Sequence, residues 1–600
     1  MKRFPPCVTR VVLTLLSGAF LLLPASCNTV DGFEQEDRAF GQAAQDALAQ
    51  KLAEQVVSLG GPPKTLIDPS PAPAPLPKDF APAWQPAVGK ALFADAEPAS
   101  HGLEDLFERA LKWSHQIKVF SDIPLIRETG IQEATGEFDH RAFAEAFYSM
   151  SDEPVGSTLT TGGASRYHQY RSEITAGVKR KYHSGAEAVL SEQIARTTSN
   201  SVYFVPHRQA EAVLALSIRQ PLLKGAGDKY NRSWIRIAKI DSEIARQEFI
   251  RQAESHLLEV ARAYWSLYLA RAVTVQRKQL VDDTADLLAK LEQRKDLDAL
   301  QSELLHARSA LAGRRADLVR SEMAIKSSED RLKALINDPE LMATNRAELL
   351  PADAPITARM VVDVKHAAGK ALETRPEIRQ AFLQYKAAMI RKDVAKNEAL
   401  PQLDFVIETA MSGLDEAGPI TNAMDDQWRH PGLRIGLVFE RPVEHNAAKA
   451  RLLRRRLEIR QIVSQLRATV DTVMLEVKIS AREVNTSYRE MLSRYQALQA
   501  AGEDLRVLRQ RWAADAGGDQ GAVAYLRLLL DCQERLAKAQ EEFAASNVDY
   551  NVAFVHLQRA QGTLLGYQDL EIKRTSDDED LPALEVRKRI VTPTGSTIGS

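Results

Sequence analysis

The sequence predicts a mainly α protein with a small β part: long antiparallel coiled-coil hairpins, four strands per chain and an internal two-fold repeat. Three observations predict it. First, apolar residues stand seven apart without a break at Val463, Val470, Val477, Val484, Met491, Leu498, Leu505 and Trp512, again at Leu529, Leu536, Phe543, Tyr550, Leu557 and Leu564, and again at Leu297, Leu304, Leu311, Leu318, Ile325 and Leu332. A strict seven-residue repeat holds one stripe against a partner only if the helices coil left-handedly around each other, so each series is a coiled-coil seam. Second, short segments of alternating apolar and polar residues precede the long helices. Third, the plan occurs twice: Gln220-Pro221-Leu222-Leu223 aligns with Glu440-Arg441-Pro442-Val443, each after an alternating strand and before a very long helix.

The chain opens with Lys2, Arg3 and Arg10, then an apolar run over 11–23, then Pro24-Ala25-Ser26-Cys27, the order of an export signal. The run is shorter than the roughly 20 residues a spanning helix needs, and its small-residue end reads as a cleavage site, so 1–26 is a signal peptide. Cys27 becomes the mature N-terminus and the candidate lipidation site. The stretch resembles a bacterial lipoprotein signal, with Pro24 where leucine is usual; ordinary cleavage that leaves an unmodified thiol is the alternative. Once Cys7 is removed and Cys27 acylated, Cys532 is left alone, so no internal disulfide can form and packing must supply the stability. Hydrophobic residues make up 44% and charged residues 26%, and the net charge of -2 gives no reason to expect a nucleic-acid partner. No later segment reaches the length of a transmembrane helix, so strands closed into a barrel would have to make any crossing.

Residues 27–100 lead through Pro62, Pro63, Pro69, Pro71, Pro73, Pro75 and Pro77, a composition that extends as polyproline, and read as a lipid-anchored tether. At the other end, 569–600 carries Asp577, Asp578, Glu579 and Asp580 in a row and reads as a disordered tail. Between them lie repeat one, 101–340, and repeat two, 341–568. Each has a short helix (over 103–119 and 361–397), a strand, a loop, a second strand and a helical hairpin.

In repeat two, Leu403, Phe405 and Ile407 alternate with their neighbours, as do Leu433, Ile435, Leu437 and Phe439. In repeat one, Leu214, Leu216 and Ile218 do the same, and a weaker, more basic strand is read over 174–181. Repeat one also carries extra residues within 139–220 that have no counterpart. The outgoing helices, over 229–293 and 446–513, would be about 100 Å long at 1.5 Å per residue. They turn at 294–298 and 515–521, where Gly517, Gly518 and Gly521 suit a tight reversal.

Four strands with one apolar face cannot close a barrel, for which about eight is the practical minimum, so several chains must pool their strands. Over 103–565 the chain resembles the TolC-like outer membrane efflux protein family, lipoprotein type. The residues that carry the resemblance are Gln220-Pro221-Leu222-Leu223, Arg375-Pro376-Glu377-Ile378, Leu400-Pro401-Gln402-Leu403, Arg441-Pro442, and Asp549-Tyr550 with Leu557 and Gly562, in that order and spacing. The resemblance implies a homotrimer with one twelve-stranded barrel in outer-membrane lipid, continued into the periplasm by an α-barrel of twelve helices. It implies the passive channel of a tripartite efflux or type I secretion system, coupled through a periplasmic adaptor (membrane fusion) protein to an inner-membrane pump, with no catalytic step and no cofactor. Pro221 and Pro442 suit the strand-to-helix junctions, because proline lacks a donor and ends a ladder. In the family, acidic residues near the hairpin tips ring the entrance. Asp296, Asp298, Asp515 and Asp519 are the candidates here, although tip aspartates also form turns and cap helices. The first tip, 294–298, departs from the family in being short and lacking glycine, which bears on adaptor docking.

The twelve histidines are scattered, and none recurs at metal spacing in both repeats, so no metal is assigned. Lys224-Gly225-Ala226-Gly227-Asp228-Lys229 lacks the spacing of a phosphate loop and falls where a strand must turn into a helix. Tyr264, Trp265 and Tyr268, like Tyr488 and Tyr495, stand at helical spacing and read as packing. The rival reading is a lipid-anchored periplasmic coiled-coil scaffold without channel activity. Heptads and a lipid signal suit it equally, but it has no need of duplicated strand pairs with proline junctions.

Overall fold

The computed structural model describes residues 76–77, 80–93, 97–293, 301–343, 347–416, 419–514, 522–567, 570–575 and 583–588. Its main elements are six strands and six helices. The strands are β1 (Arg141–Pro154), β2 (Arg166–Lys181), β3 (Glu187–Ser199), β4 (Arg208–Pro221), β5 (Gln402–Glu416) and β6 (Pro431–Glu440). The helices are α1 (His115–Thr135), α2 (Ser233–Gln293), α3 (Gln301–Ile336), α4 (Pro376–Glu398), α5 (Asn446–Ala514) and α6 (Ala522–Gln561).

The strands form one antiparallel sheet in sequence order, β1-β2-β3-β4-β5-β6. This corrects the expectation of four strands per chain. The extra residues of repeat one are an added hairpin, β2 and β3. Its turn closes where Tyr182 N–H donates to Ala186 O at 2.8 Å and Gly185 N–H to Tyr182 O at 2.9 Å. Gly185 has φ +91, and a Cβ there would lie 2.5 Å from Gly225 O and 2.9 Å from Pro221 Cγ, so only glycine fits where this turn meets the strand-to-helix junction. Alternation hides the hairpin because Ser172, Glu192 and Arg196 interrupt its apolar rows, so only the end of β2 reads as a strand.

The long helices α2 and α5 have 61 and 69 residues, about 92 and 104 Å at 1.5 Å per residue. Helix α2 packs against α1 and α3, and also against α4 and α6; α5 packs against α4 and α6. The helices thus stand in four columns in the order α1 with α3, α2, α4 with α6, α5. Because α1 leads into β1 and β6 leads into α5, sheet and columns share the same two edges. Val477, Val484 and Met491 on α5, and Phe543 and Tyr550 on α6, are fully buried. In the middle of α2 the buried rings of Tyr264, Trp265 and Tyr268 meet edge to face, with centroids 5.2 and 5.8 Å apart.

A helix-capping node stands at the start of α4. Arg375, extended before Pro376 as residues preceding proline tend to be, separates α4 from the helix Val364–Thr374. Its buried guanidinium donates to the carbonyls of Arg559 and Ala560 at 3.2 Å, satisfying the otherwise open end of α6, and pairs with Glu377 at 3.0 Å and with Glu476 of α5 at 2.7 Å. Gly562, at φ +66, closes α6, and a Cβ there would sit 3.0 Å from Arg375 Cα. Asp363 accepts from Lys365 N–H at 2.9 Å.

Two terminal expectations are corrected. Part of 27–100 is packed structure: Trp84 and Val88 are buried, Phe80 meets Tyr495 and Phe543 edge to face at 4.7 and 5.7 Å, and Glu97–His101 pairs in parallel with Ala347–Pro351. Within 569–600, Leu570–Thr575 and Ala583–Lys588 form an antiparallel pair. Proline and charge content predicted extension in both places, yet a few aromatic anchors and ladder hydrogen bonds suffice to order such segments.

Candidate channel wall

Register divides the sheet into two unlike faces. One face carries Phe439, Leu437, Ile435 and Leu433 of β6, Phe405, Ile407 and Met411 of β5, Leu214, Leu216 and Ile218 of β4, Leu190 and Ile194 of β3, Ile174 and Val178 of β2, and Ala142, Ala144 and Ala146 of β1. Leu433, Ile435, Leu437, Phe439 and Ile174 are all more than half exposed. An apolar surface of this extent, broken on the hairpin by Glu192 and Arg196, is not left to water in a monomeric soluble protein.

The opposite face is charged and cross-linked. Arg171 Nε meets Glu173 at 2.9 Å and its Nη1 meets Glu211 at 3.0 Å, while Gln193 Nε2 donates to Glu173 at 2.6 Å. Arg219 pairs with Asp404 at 2.6 Å and Arg434 with Glu408 at 3.2 Å. Most of these groups are partly exposed, so each pair contributes little stability. Their effect is to keep this face wetted.

The far end of the apolar face is covered. The helix Ile420–Asp426 lies over β4 and β5, packing Ala423 on Ala210 and Ala212, with Ile420 and Met424 alongside. Gly413 makes the close approach possible, since a Cβ there would fall 1.9 Å from Ala423 O. The uncovered apolar rows run from Phe439 to Leu433, and Trp428 and Arg429 stand exposed beside the covered end.

The edge columns of the helical part also carry exposed apolar side chains: Val119 and Ile126 on α1, Val319 and Met323 on α3, and Leu453 and Leu475 on α5. Toward the tips, Leu287 and Leu291 of α2, Leu304 and Ala307 of α3, Leu505 and Leu508 of α5, and Leu526 and Leu529 of α6 form one cluster. Arg314 crosses that cluster from α3, donating to Gln533 Oε1 and Leu530 O of α6, both at 2.8 Å.

Of the residues singled out from sequence, Leu304, Leu311, Val470, Val477, Val484 and Leu529 are buried and Leu536 is half-buried. Pro221 ends β4 against Asp404, and Leu222 N–H then donates to Leu403 O at 2.7 Å. Pro442 lies just past β6 beside a cleft of about 440 Å³ lined by Lys224, Glu398, Gln402, Glu440 and Arg451. Cys27, Asp296, Leu297, Asp298, Asp515 and Asp519 lie outside the described residues. Among the described residues no group of three or more His, Cys, Asp or Glu side chains could hold a metal, and no helix is long and apolar enough to cross a membrane.

The sequence reading did not single out Arg271, Arg314 or Glu254. Glu254 of α2 is buried beside Glu377, Arg375 and Arg559; burial, reinforced by the Glu377 charge and partly offset by the two arginines, pushes its carboxyl up to about 8. Each of the three stands among apolar helix neighbours, a signal that periodicity offers but that long helices also produce by chance. Of the hairpin β2–β3 the sequence shows Ile174, Ala176 and Val178, then Leu190 and Ile194, with Ser184-Gly185 between them, too few to stand out against Ser172, Glu192 and Arg196.

Comparison with solved structures gives the class: the fold is that of the TolC-like outer-membrane efflux channels. The outer-membrane channel OprN matches with a TM-score of 0.56 at 14% identity, covering 77% of this chain and 89% of that one. The Campylobacter jejuni outer membrane channel CmeC matches at 0.55 and 14% identity over 82% and 95% of the two chains. The outer membrane protein VceC of Vibrio cholerae matches at 0.55 and 16% identity over 77% and 96%. No protein-family model and no curated protein sequence matches the chain.

Proposed function

We propose that this chain is the outer-membrane channel of a tripartite efflux or type I secretion system. It works as a homotrimer: the apolar face of the sheet meets outer-membrane lipid, the charged face lines the exit, and the helical columns continue the duct into the periplasm. The inner-membrane pump supplies the energy and a periplasmic adaptor docks at the hairpin tips, where Asp296, Asp298, Asp515 and Asp519 line the entrance. The chain itself performs no covalent step. Acylation of Cys27 would add an anchor of about 0.8 kcal/mol per buried methylene.

The carrying observation is the two-faced sheet, apolar and exposed on one side and charged on the other, that shares both edges with the helical columns. A single protomer leaves those edges open, which lipid does not tolerate. The test is membrane fractionation followed by electrophoresis of the unheated detergent extract. The expected result is a heat-modifiable trimer in the outer-membrane fraction that conducts ions in planar bilayers. A monomer released by lipase or found in the soluble periplasm would instead favour the lipid-anchored scaffold.

A further inference from the structure

We propose that three copies of this chain close a barrel of eighteen strands, β6 of each copy pairing with β1 of the next, so that the outer-membrane exit is wider than the twelve-stranded wall the resemblance implies. The inference rests on the trimeric channel reading and adds the partner and pairing of each sheet edge.

The inserted hairpin belongs to the wall. Its strands have 16 and 13 residues, against 14, 14, 15 and 10 for the others. All six therefore reach the roughly 9–11 residues that cross a bilayer as tilted strands. Ile174, Val178, Leu190 and Ile194 continue the apolar face across the hairpin, interrupted by Glu192 and Arg196, and Arg171, Glu173 and Gln193 continue the charged one. A hairpin folded away as an outer loop would have no use for this matched alternation.

The widths agree as well. Six strands spaced about 4.8 Å apart and tilted about 40° occupy an arc of roughly 38 Å. Four helix columns spaced about 9.5 Å apart occupy the same roughly 38 Å. Four strands at that tilt would span only about 25 Å and would have to lean to about 60° to meet the same helices, well beyond the usual range. The added hairpin thus lets the strand wall join the helical wall without narrowing.

The two edges suit each other. Every residue of β6 is exposed, and all of β1 except Phe143 and Ser151. Because the strands alternate in direction and number six, β6 meeting β1 of the next copy continues the antiparallel order around a closed ring, the one arrangement that leaves no edge. On the apolar face, large Leu433, Ile435 and Leu437 meet small Ala142, Ala144 and Ala146. On the charged face, Glu440 then Arg434 run outward from the helix end of β6, and Arg141 then Glu145 run outward from the helix end of β1, so opposite charges approach in order.

The test is cysteine cross-linking in the full-length chain, in its own outer membrane. Ile435→Cys is combined in turn with Ala142→Cys, Ala144→Cys and Ala146→Cys and oxidised. One of the three pairs should convert the protein largely to a covalent trimer, because each copy carries both halves of the link, while the single-cysteine parents should stay monomeric on a denaturing gel. No cross-link in any pair, while the unheated protein still runs as a trimer, overturns the eighteen-stranded wall and leaves the channel reading intact; absence of a trimer in the unsubstituted protein overturns that reading itself. Independently, Ile174→Trp and Leu190→Trp should be quenched by brominated lipid as strongly as Ile435→Trp. If those two are not quenched while Ile435→Trp is, the hairpin stands outside the wall and the proposal fails.

Discussion

Arg271 of α2 and Glu348 of the strand Ala347–Pro351 form an ion pair of 2.5 Å with both side chains buried. The guanidinium also donates to the carbonyls of Val88 at 2.9 Å and Lys90 at 2.6 Å, and Glu348 accepts from Leu92 and Phe93 N–H at 3.1 and 3.3 Å. One buried pair therefore fastens residues 88–93 to the helices. Arg271→Met leaves Glu348 charged and unpaired in the interior, which costs about 3–5 kcal/mol. The denaturant midpoint should fall accordingly, and adding Glu348→Leu should recover part of the loss. An unchanged midpoint for the single variant would mean that this segment does not dock.

Glu254 makes stability depend on pH. Its carboxyl lies near 8 in the folded chain against an ordinary 4.5, so the native state holds a proton that the unfolded chain releases. The stabilising contribution is complete below about 4.5 and is lost as pH rises toward about 8. Unfolding temperature measured from pH 5 to 8 should decline, and Glu254→Gln should flatten that decline. Parallel profiles for the two proteins would show that Glu254 does not carry the effect.

Gly413→Ala tests the cover over the apolar face. The new Cβ cannot stand 1.9 Å from Ala423 O, so the helix Ile420–Asp426 must lift from β4 and β5. Limited proteolysis should then cut within 417–430 at least several-fold faster, with the rest of the chain unaffected. Equal cutting rates would mean that the sheet yields instead.

The heptad positions and the tip aspartates predict opposite outcomes. Val484 is fully buried, and placing a carboxylate there should cost several kcal/mol and abolish trimer recovery. Asp296→Ala should leave the trimer intact and change cation selectivity in planar bilayers. Trimer yield unaffected by Val484→Asp would remove the basis for reading the stripe as a seam, and selectivity unaffected by Asp296→Ala would remove that residue from the entrance.

Much of this protein is legible in its sequence because long helices repeat a signal many times. The limits 229–293 and 446–513 read from sequence lie within a few residues of α2 and α5, whereas the single helix read over 361–397 is two, Val364–Thr374 and α4, parted at Arg375-Pro376. Strands give fewer residues to read. In β2 and β3, Ser172, Glu192 and Arg196 break the apolar rows, and the hairpin vanishes from the pattern although its ladder is continuous. The docking of Phe80 and Trp84 was equally hidden, because their partners Tyr495 and Phe543 lie more than 400 residues away in the chain.

The sequence by itself determined the long helices with their apolar stripes and the proline-marked turns from strand to helix, since both follow from periodicity and backbone chemistry within a few turns. Only the tertiary structure decided that the sheet has six strands, that Arg375 closes α6 and that Arg271 holds the N-terminal segment. Those outcomes depend on which distant groups meet, and a ladder hydrogen bond or a buried charge is satisfied by a neighbour in space that the local pattern does not specify.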